Sequence, residues 1–229
     1  MPYRLLIEAA SRATGRLGWL RGALGALAGV ALAGLLTRLV PTGAPPGLWL
    51  VAPIGASAVL VFALPASPLG QPWPVAGGNL ISAAIGLLMA HLVPVPGLAA
   101  ALAVAAAIAA MSLARCLHPP GGACALVGVL APPTLAAQWG AGLLVPLAVN
   151  VALLIAAGYL YNNLTGHRWP HRILQPSPPA RDEWVARYEA DDLDAVLEHW
   201  DEVLDVSRDD LDALFRAVER RVERRRGGT

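Results

Sequence analysis

The groups in this sequence best able to do chemistry are gathered in one stretch, His118-Pro119-Pro120-Gly121-Gly122-Ala123-Cys124, with Arg115 three residues before it. The proline pair prevents helix continuation, and the following glycines let backbone amides approach a ligand closely. A helix restarting at Gly121 or Gly122 points its first N–H groups and the positive end of its dipole at a place where an anion can sit. Arg115 adds a fixed positive charge there, and His118 an imidazole. A matching start occurs at Pro53-Ile54-Gly55-Ala56-Ser57, where the Ser57 hydroxyl is a donor. The candidate anion-binding residues are accordingly Arg115, His118, Gly121, Gly122, Ala123, Gly55, Ala56, Ser57 and Arg38. A plainer reading of the same spacing stays open. In it Arg115 and His118 end a helix at the membrane interface by snorkelling, Arg38 sits at the far end of the first helix, and the glycines serve close packing.

Other chemistries fit less well. Cys116, His118 and Cys124 match no standard zinc spacing, and no carboxylate stands near to support a ligand, so neither a metal nor a cofactor is expected. Ser57 or Ser112 as a nucleophile needs a base, and only histidines distant in sequence are on offer, so the chain is not expected to be an enzyme. The two cysteines read as small apolar residues. From Ala9 to Arg181 there is no aspartate or glutamate, while Arg12, Arg16, Arg21, Arg38, Arg115, Arg168, Arg172, Arg181 and four histidines remain. Such a region has no carboxylate with which to bind metal cations or relay protons. No nucleic-acid partner is expected either.

The elements that must position these groups follow from hydropathy. Over 229 residues, 56% are hydrophobic and 14% charged, with the charges pushed to the ends of the chain, and the mean hydropathy is +0.54. This is the composition of a membrane protein, and its partner is the lipid bilayer. A hydrocarbon core of about 30 Å needs about 20 apolar residues in a helix. Gly22 to Leu39, Leu98 to Leu117 and Trp139 to Tyr161 meet that requirement, and Val75 to Val93 makes a fourth. Trp19, Trp49, Trp73, Trp139 and Trp169 fall at the ends of these segments, as expected of rings at headgroup level.

Two shorter apolar stretches, Pro53 to Pro65 and Pro120 to Pro132, are broken by proline and glycine. At a constant offset of 67 residues Pro53 falls on Pro120, Gly55 on Gly122, Ala56 on Ala123, Ala58 on Ala125, Pro65 on Pro132 and Gln71 on Gln138. Of these, Pro53, Pro120, Gln71 and Gln138, together with Pro119, are expected to be structural. The fold class expected is an all-α polytopic membrane protein. It has two related repeats of long helix, short Pro/Gly-broken helix and long helix, about 22–93 and 98–161, plus a small cytoplasmic helical tail. If the short segments cross, the repeats are inverted, the arrangement that marks a transporter's central site; if they are re-entrant, four full crossings remain. Either count is even, so both termini share one side, and the arginine-rich flanks place that side in the cytoplasm of a bacterial inner membrane. Arg12, Arg16 and Arg21 before an apolar run are read as that flank rather than as a signal peptide.

The organisation expected is a cytoplasmic N-terminus (1–16), a transmembrane domain (17–172), a Pro-rich linker (173–181) and a soluble helical tail (182–229). In the tail, Asp191 to Trp200 and Ser207 to Arg226 have helical apolar spacing, with Ser207 as N-cap and Asp210 at the capping-box position. Its few large apolar side chains suit packing on the membrane body or a partner. Gly25 and Gly29 form a GxxxG packing face, and such faces suggest a homo-oligomer.

The run His118-Pro119-Pro120-Gly121-Gly122-Ala123-Cys124-Ala125-Leu126 resembles the signature of the HPP family of integral membrane proteins, whose usual form has Ala where Gly121 stands and Thr where Cys124 stands. Ala52 to Leu60, Ser67 to Trp73 and Tyr161-Asn162-Asn163 are similar to further family blocks, and the resemblance covers roughly Arg16 to Arg172. Leu204 to Leu211 resembles the connector that in longer members leads to paired CBS domains, which this chain is expected to lack. Plant plastid members are associated with nitrite transport. The resemblance therefore implies a membrane transporter or channel for a small inorganic anion, nitrite favoured. The alternative is a non-transporting scaffold or sensor whose C-terminal helices bind a partner.

Overall fold

The computed structural model describes residues 2–40, 49–131, 141–171, 188–198 and 206–226, and every regular element among them is helical. In chain order these are α1 (Pro2–Thr37), α2 (Pro53–Ala58) running on as a π-helical turn (Val59–Ala63), a 3₁₀ turn (Pro68–Gly70), α3 (Pro72–Leu92), α4 (Pro96–Leu113), α5 (Pro120–Val129), α6 (Ala141–Leu164), α7 (Ala190–Glu198) and α8 (Arg208–Arg226). Four helices among the described residues are long and apolar enough to cross a membrane: Gly18–Thr37, Pro72–Leu92, Pro96–Leu113 and Gly142–Leu164. Between them lie the two short ones, opening at Pro53 and Pro120 as the paired prolines require. With 11 and 10 residues, at 1.5 Å each, they reach about 15–16 Å, half of a hydrocarbon core, so neither spans alone.

The third apolar segment ends earlier than its hydropathy predicts, at Leu113 rather than Leu117. Arg115 adopts a left-handed φ of 53°, Cys116 N–H donates to the Met111 carbonyl at 2.8 Å, and Arg115 N–H donates to Ser112 at 3.1 Å. This pattern is a Schellman C-terminus, closed by the buried pair Met111 and Cys116. The same kind of stop closes α6, where Gly166 has φ 83° and His167 N–H reaches the Asn162 carbonyl at 2.9 Å. Glycine takes that conformation freely, whereas arginine is strained there by about 1–2 kcal/mol.

Small residues bring the helices together. A Cβ on Gly86 of α3 would stand 2.1 Å from the Ala125 carbonyl oxygen of α5, and one on Gly128 of α5 would stand 2.7 Å from the Ala83 carbonyl oxygen of α3. The same approach holds the buried Ser82 hydroxyl against Gly121, with no hydrogen-bond partner among the described residues. In α4 the buried residues Ala99, Ala103, Ala107 and Met111 fall every fourth position, a single stripe against α3 and α5 with lipid left to the other faces. On α1, Gly25 and Gly29 form the notch that receives the ring of Phe62, which also meets Tyr161 edge-on at 5.7 Å. The GxxxG face is thus filled within the chain, and an oligomer would use other surfaces. Trp169, expected at headgroup level, is instead buried at 1% exposure in the main core, its indole N–H donating to the Gly70 carbonyl at 3.3 Å. Trp139, Gln138 and the linker 173–181 lie outside the described residues.

The tail forms as its capping pattern predicts. Ser207 accepts from Asp210 N–H at 3.0 Å and donates to its carboxylate at 2.6 Å. Arg208 grips Asp194 of α7 through two nitrogens, at 2.7 and 2.6 Å, and holds that carboxyl below the usual range. Tyr188 donates to Asp212 at 3.1 Å, and His171 at the end of the membrane body meets Asp210 at 3.2 Å. Leu214, Phe215 and Val218 of α8 stay exposed, at 58%, 46% and 51%.

Two substitutions test this packing with opposite signs. Phe62→Ala empties the α1 notch and is expected to destabilise by about 3–5 kcal/mol. Arg115→Gly relieves the left-handed residue and is expected to stabilise by about 1 kcal/mol. Thermal melting in detergent measures both, and a melting point lowered by Arg115→Gly would refute the account of the α4 terminus.

Candidate functional site

At the meeting point of the two short helices lies a chain of buried polar side chains. Ser57 of α2 and His118, just before α5, are 61 residues apart in sequence, yet Ser57 Oγ and His118 Nε2 stand 2.8 Å apart with both residues at 0% exposure. His118 Nδ1 is 2.8 Å from the Leu69 carbonyl oxygen. A carbonyl can only accept, so Nδ1 carries the proton, Nε2 is left as an acceptor, and Ser57 donates to it. Asn79 of α3 donates to Ser57 Oγ at 3.0 Å and to the Val75 carbonyl at 2.8 Å, while its Oδ1 accepts from the Cys124 thiol at 3.0 Å. The result is one directed run of donors, Cys124 to Asn79 to Ser57 to His118 to Leu69. Ser57 and Cys124 are the residues that coincide at the 67-residue offset, and Asn79 holds both. The thiol here provides the donor that a threonine hydroxyl would provide.

Two further clusters satisfy backbone groups that the short helices leave open. Where the π-helical turn ends, Asn162 donates to the Val61 carbonyl at 2.9 Å and Arg21 Nη1 donates to the Phe62 carbonyl at 2.8 Å. Arg21 also binds Thr165 Oγ1 at 3.0 Å and Asn162 Oδ1, and lies over the Tyr161 ring. A cation at the carbonyl end of a helix also suits the dipole. Ahead of α2, Asn150 of α6 accepts from Val51 N–H at 2.9 Å and donates to the Trp49 carbonyl at 3.0 Å and to Thr37 Oγ1 at 2.7 Å. Gln71, expected to be structural, orders the turn before α3 by donating to the Pro65 and Ser67 carbonyls and accepting from His171 N–H.

Of the residues singled out by spacing, the structure brings together Ser57 and His118. Arg115 does not join them: α4 ends at Leu113, helical spacing does not carry on to His118, and the arginine is exposed on the turn while the histidine is buried. Arg38 is exposed beyond α1, over the Trp49 ring at 5.6 Å. The first amides of the short helices are engaged rather than open. Gly121 N–H donates to the His118 carbonyl at 2.8 Å, Gly122 to Pro119 at 3.1 Å, Ile54 to Val51 at 3.0 Å and Gly55 to Ala52 at 3.1 Å. Gly121 is a packing residue, whereas a Cβ on Gly55 or Gly122 would meet nothing within 4 Å, and Ala56 and Ala123 are exposed. Pro119 and Pro120 stand at the start of α5. Sequence reasoning did not find Asn79 or Asn150, whose signal was that they are polar side chains standing alone within apolar helices, and it read Arg21 only as part of the arginine flank. It also treated histidines as too distant to serve Ser57, which folding reverses. A serine and a base in hydrogen-bond contact resemble an activated nucleophile. Here the serine already accepts from Asn79, and both partners are fully enclosed. Among the described residues no group of three His, Cys, Asp or Glu side chains is placed to hold a metal ion.

The family described as HPP, transmembrane region, matches residues 12–170. Two proteins of Dictyostelium discoideum described as transmembrane proteins are similar to this chain. One is 34% identical over 128 residues, 53% of this chain and 40% of its own length; the other is 33% identical over 125 residues, 52% and 43% respectively. The matched stretch thus spans less than half of each relative. No solved structure matches the chain.

Removing the centre of the donor run tests its structural weight. Ser57→Ala leaves His118 Nε2 and one Asn79 N–H unpaired and is expected to cost about 1–3 kcal/mol. Cys124→Thr preserves a donor to Asn79 and is expected to be near neutral. An unchanged melting point for Ser57→Ala would remove the run from the interactions that hold the short helices together.

Proposed function

The chain belongs to the family of the HPP transmembrane region and is a multi-pass membrane protein, and from that premise we propose that it moves a small inorganic anion across the bilayer, nitrite foremost. The observation that carries this reading is the buried run through Ser57 and His118 where two half-length helices meet, in a body without a single carboxylate from Ala9 to Arg181. Polar and ionisable groups enclosed in the body of a membrane protein often mark pathways, and here every charge on offer is positive. Broken helices in corresponding positions are where transporters place their sites. With the first amides engaged, the groups left to meet an ion that reaches this place are the side chains of Ser57 and His118, which are enclosed in the structure and would have to open to it. The arginine flanks support termini in the cytoplasm of a bacterial inner membrane.

A second reading has its own observation. The exposed Leu214, Phe215 and Val218 face of α8 suits a partner, as a scaffold or sensor would need. Either reading is of a non-enzyme, and a serine-directed fluorophosphonate probe is expected to leave Ser57 unlabelled.

Flux in proteoliposomes decides between them. The full chain is expected to carry nitrite, with at least a tenfold loss in Ser57→Ala and little change on deletion of Asp182 to Thr229. Absence of nitrite, nitrate and chloride movement by the full chain would sink the transport reading. Loss of a pulled-down partner on the same deletion would favour the scaffold.

A further inference from the structure

The donor run has one place where a proton can be added. Every donor in it points toward Leu69: the Cys124 thiol to Asn79, the Asn79 amide to Ser57, the Ser57 hydroxyl to His118 Nε2, and His118 Nδ1–H to the Leu69 carbonyl. The lone pair on Nε2 is therefore the site of protonation, and using it reverses one bond. The imidazolium Nε2–H donates to Ser57 Oγ, which already accepts from Asn79, and the serine O–H turns to a new acceptor.

Among the described residues, the surroundings hold no negative charge to match the added proton. Facing His118 are Ser57 from α2, the Leu69 carbonyl from the turn before α3, and Gly78 and Asn79 from α3, where a Cβ on Gly78 would stand 2.4 Å from His118 Cβ. From its own side come Pro119 and Pro120 at the start of α5. The titratable side chains nearby are the thiols of Cys116, against Gly77, and Cys124, on Asn79; the nearest cation in sequence, Arg115, is exposed on the turn. No carboxylate occurs between Ala9 and Arg181, so nothing in the body neutralises an imidazolium. A fully buried cation without a counter-charge is strongly disfavoured. A monovalent anion beside Ser57 provides both the acceptor that the turned hydroxyl lacks and the counter-charge that the imidazolium lacks.

We infer that His118 Nε2 is a proton-binding site whose occupancy is coupled to that of the anion, so that the chain carries one proton with each monovalent anion. The inference rests on the anion reading above. Proton and anion enter from the same side, neutralise one another in the site and leave together, and the transfer moves no net charge. By linkage the coupling is reciprocal: anion binding draws a proton onto the site, and lower pH tightens anion binding.

The test uses the full chain in proteoliposomes with nitrate, whose conjugate acid is too strong to cross the bilayer unaided. An inward proton gradient at zero membrane voltage is expected to concentrate nitrate inside, and a protonophore with valinomycin and potassium to abolish the accumulation. Nitrate driven by a potassium-set voltage and indifferent to the proton gradient would overturn the coupling while leaving transport intact. No movement of any anion would overturn both. His118→Gln, which keeps hydrogen-bonding groups but cannot take up a proton, is expected to lose at least tenfold of the gradient-driven accumulation. Should that variant fail to fold, proton uptake by the wild-type protein on nitrate addition, read with an indicator dye in weak buffer, tests the coupling independently. About one proton per bound anion is expected, and none would overturn the inference.

Discussion

A helix of ten or eleven residues is only about half as long as a hydrocarbon core is thick, and backbone groups left open inside such a core have no water to turn to. Most of this molecule answers that constraint. The carbonyls where the π-helical turn stops are met by Arg21 of α1 and Asn162 of α6; the amide and carbonyl ahead of α2 are met by one amide side chain, Asn150 of α6. Because these donors and acceptors must reach the same few atoms, they also fix how α1 and α6 sit against each other, with Tyr161 Oη returning a bond to the Arg21 carbonyl at 2.8 Å. At the start of α5 the chain instead folds its first amides back onto the carbonyls of His118 and Pro119.

Satisfying backbone groups by side chains requires the helices to be close, and closeness is obtained by omission of side chains. Gly86 against Ala125 and Gly121 against Gly78 and Ser82 leave no room for a methyl group. Where a bulky residue is used it fills a notch cut by glycine, as Phe62 does between Gly25 and Gly29. In lipid the hydrophobic effect gives helices little reason to associate, so this contact area and the interhelical hydrogen bonds bear the association. Glycine content that in a soluble protein would signal turns here signals helix contact.

That distinction governs what was legible in the sequence. Four long apolar helices and two short ones could be read from hydropathy and paired prolines, because both signals are local and strong. The capping pair Ser207 and Asp210 was legible for the same reason. The relation of Arg115 to His118 was not, since it assumed a helix running through both, and a non-glycine residue in a left-handed Schellman position carries no sequence signal. Trp169 looked interfacial because tryptophans usually are; its burial depends on the Gly70 carbonyl, which is 99 residues away. Asn79 could not be ranked above any other lone asparagine until the two residues it joins, Ser57 and Cys124, were in one place. Pairwise contacts between distant segments are the information that periodicity does not hold.

The electrostatics of the two broken helices are unequal, and the inequality has a direction. Arg21 stands at the carbonyl end of the α2 unit, where a helix dipole favours a cation, and its guanidinium is satisfied within the protein by Phe62, Asn162, Thr165 and the face of the Tyr161 ring. His118 stands at the opposite kind of place, immediately before α5, where the positive end of the dipole disfavours a cation. Its neutral form is correspondingly the one that every hydrogen bond around it fits. Arg21 therefore has its charge met within the protein, whereas a protonated His118 would find no counter-charge among the described residues. Of these two basic side chains, the histidine is the one that its hydrogen bonds fit as a neutral ring.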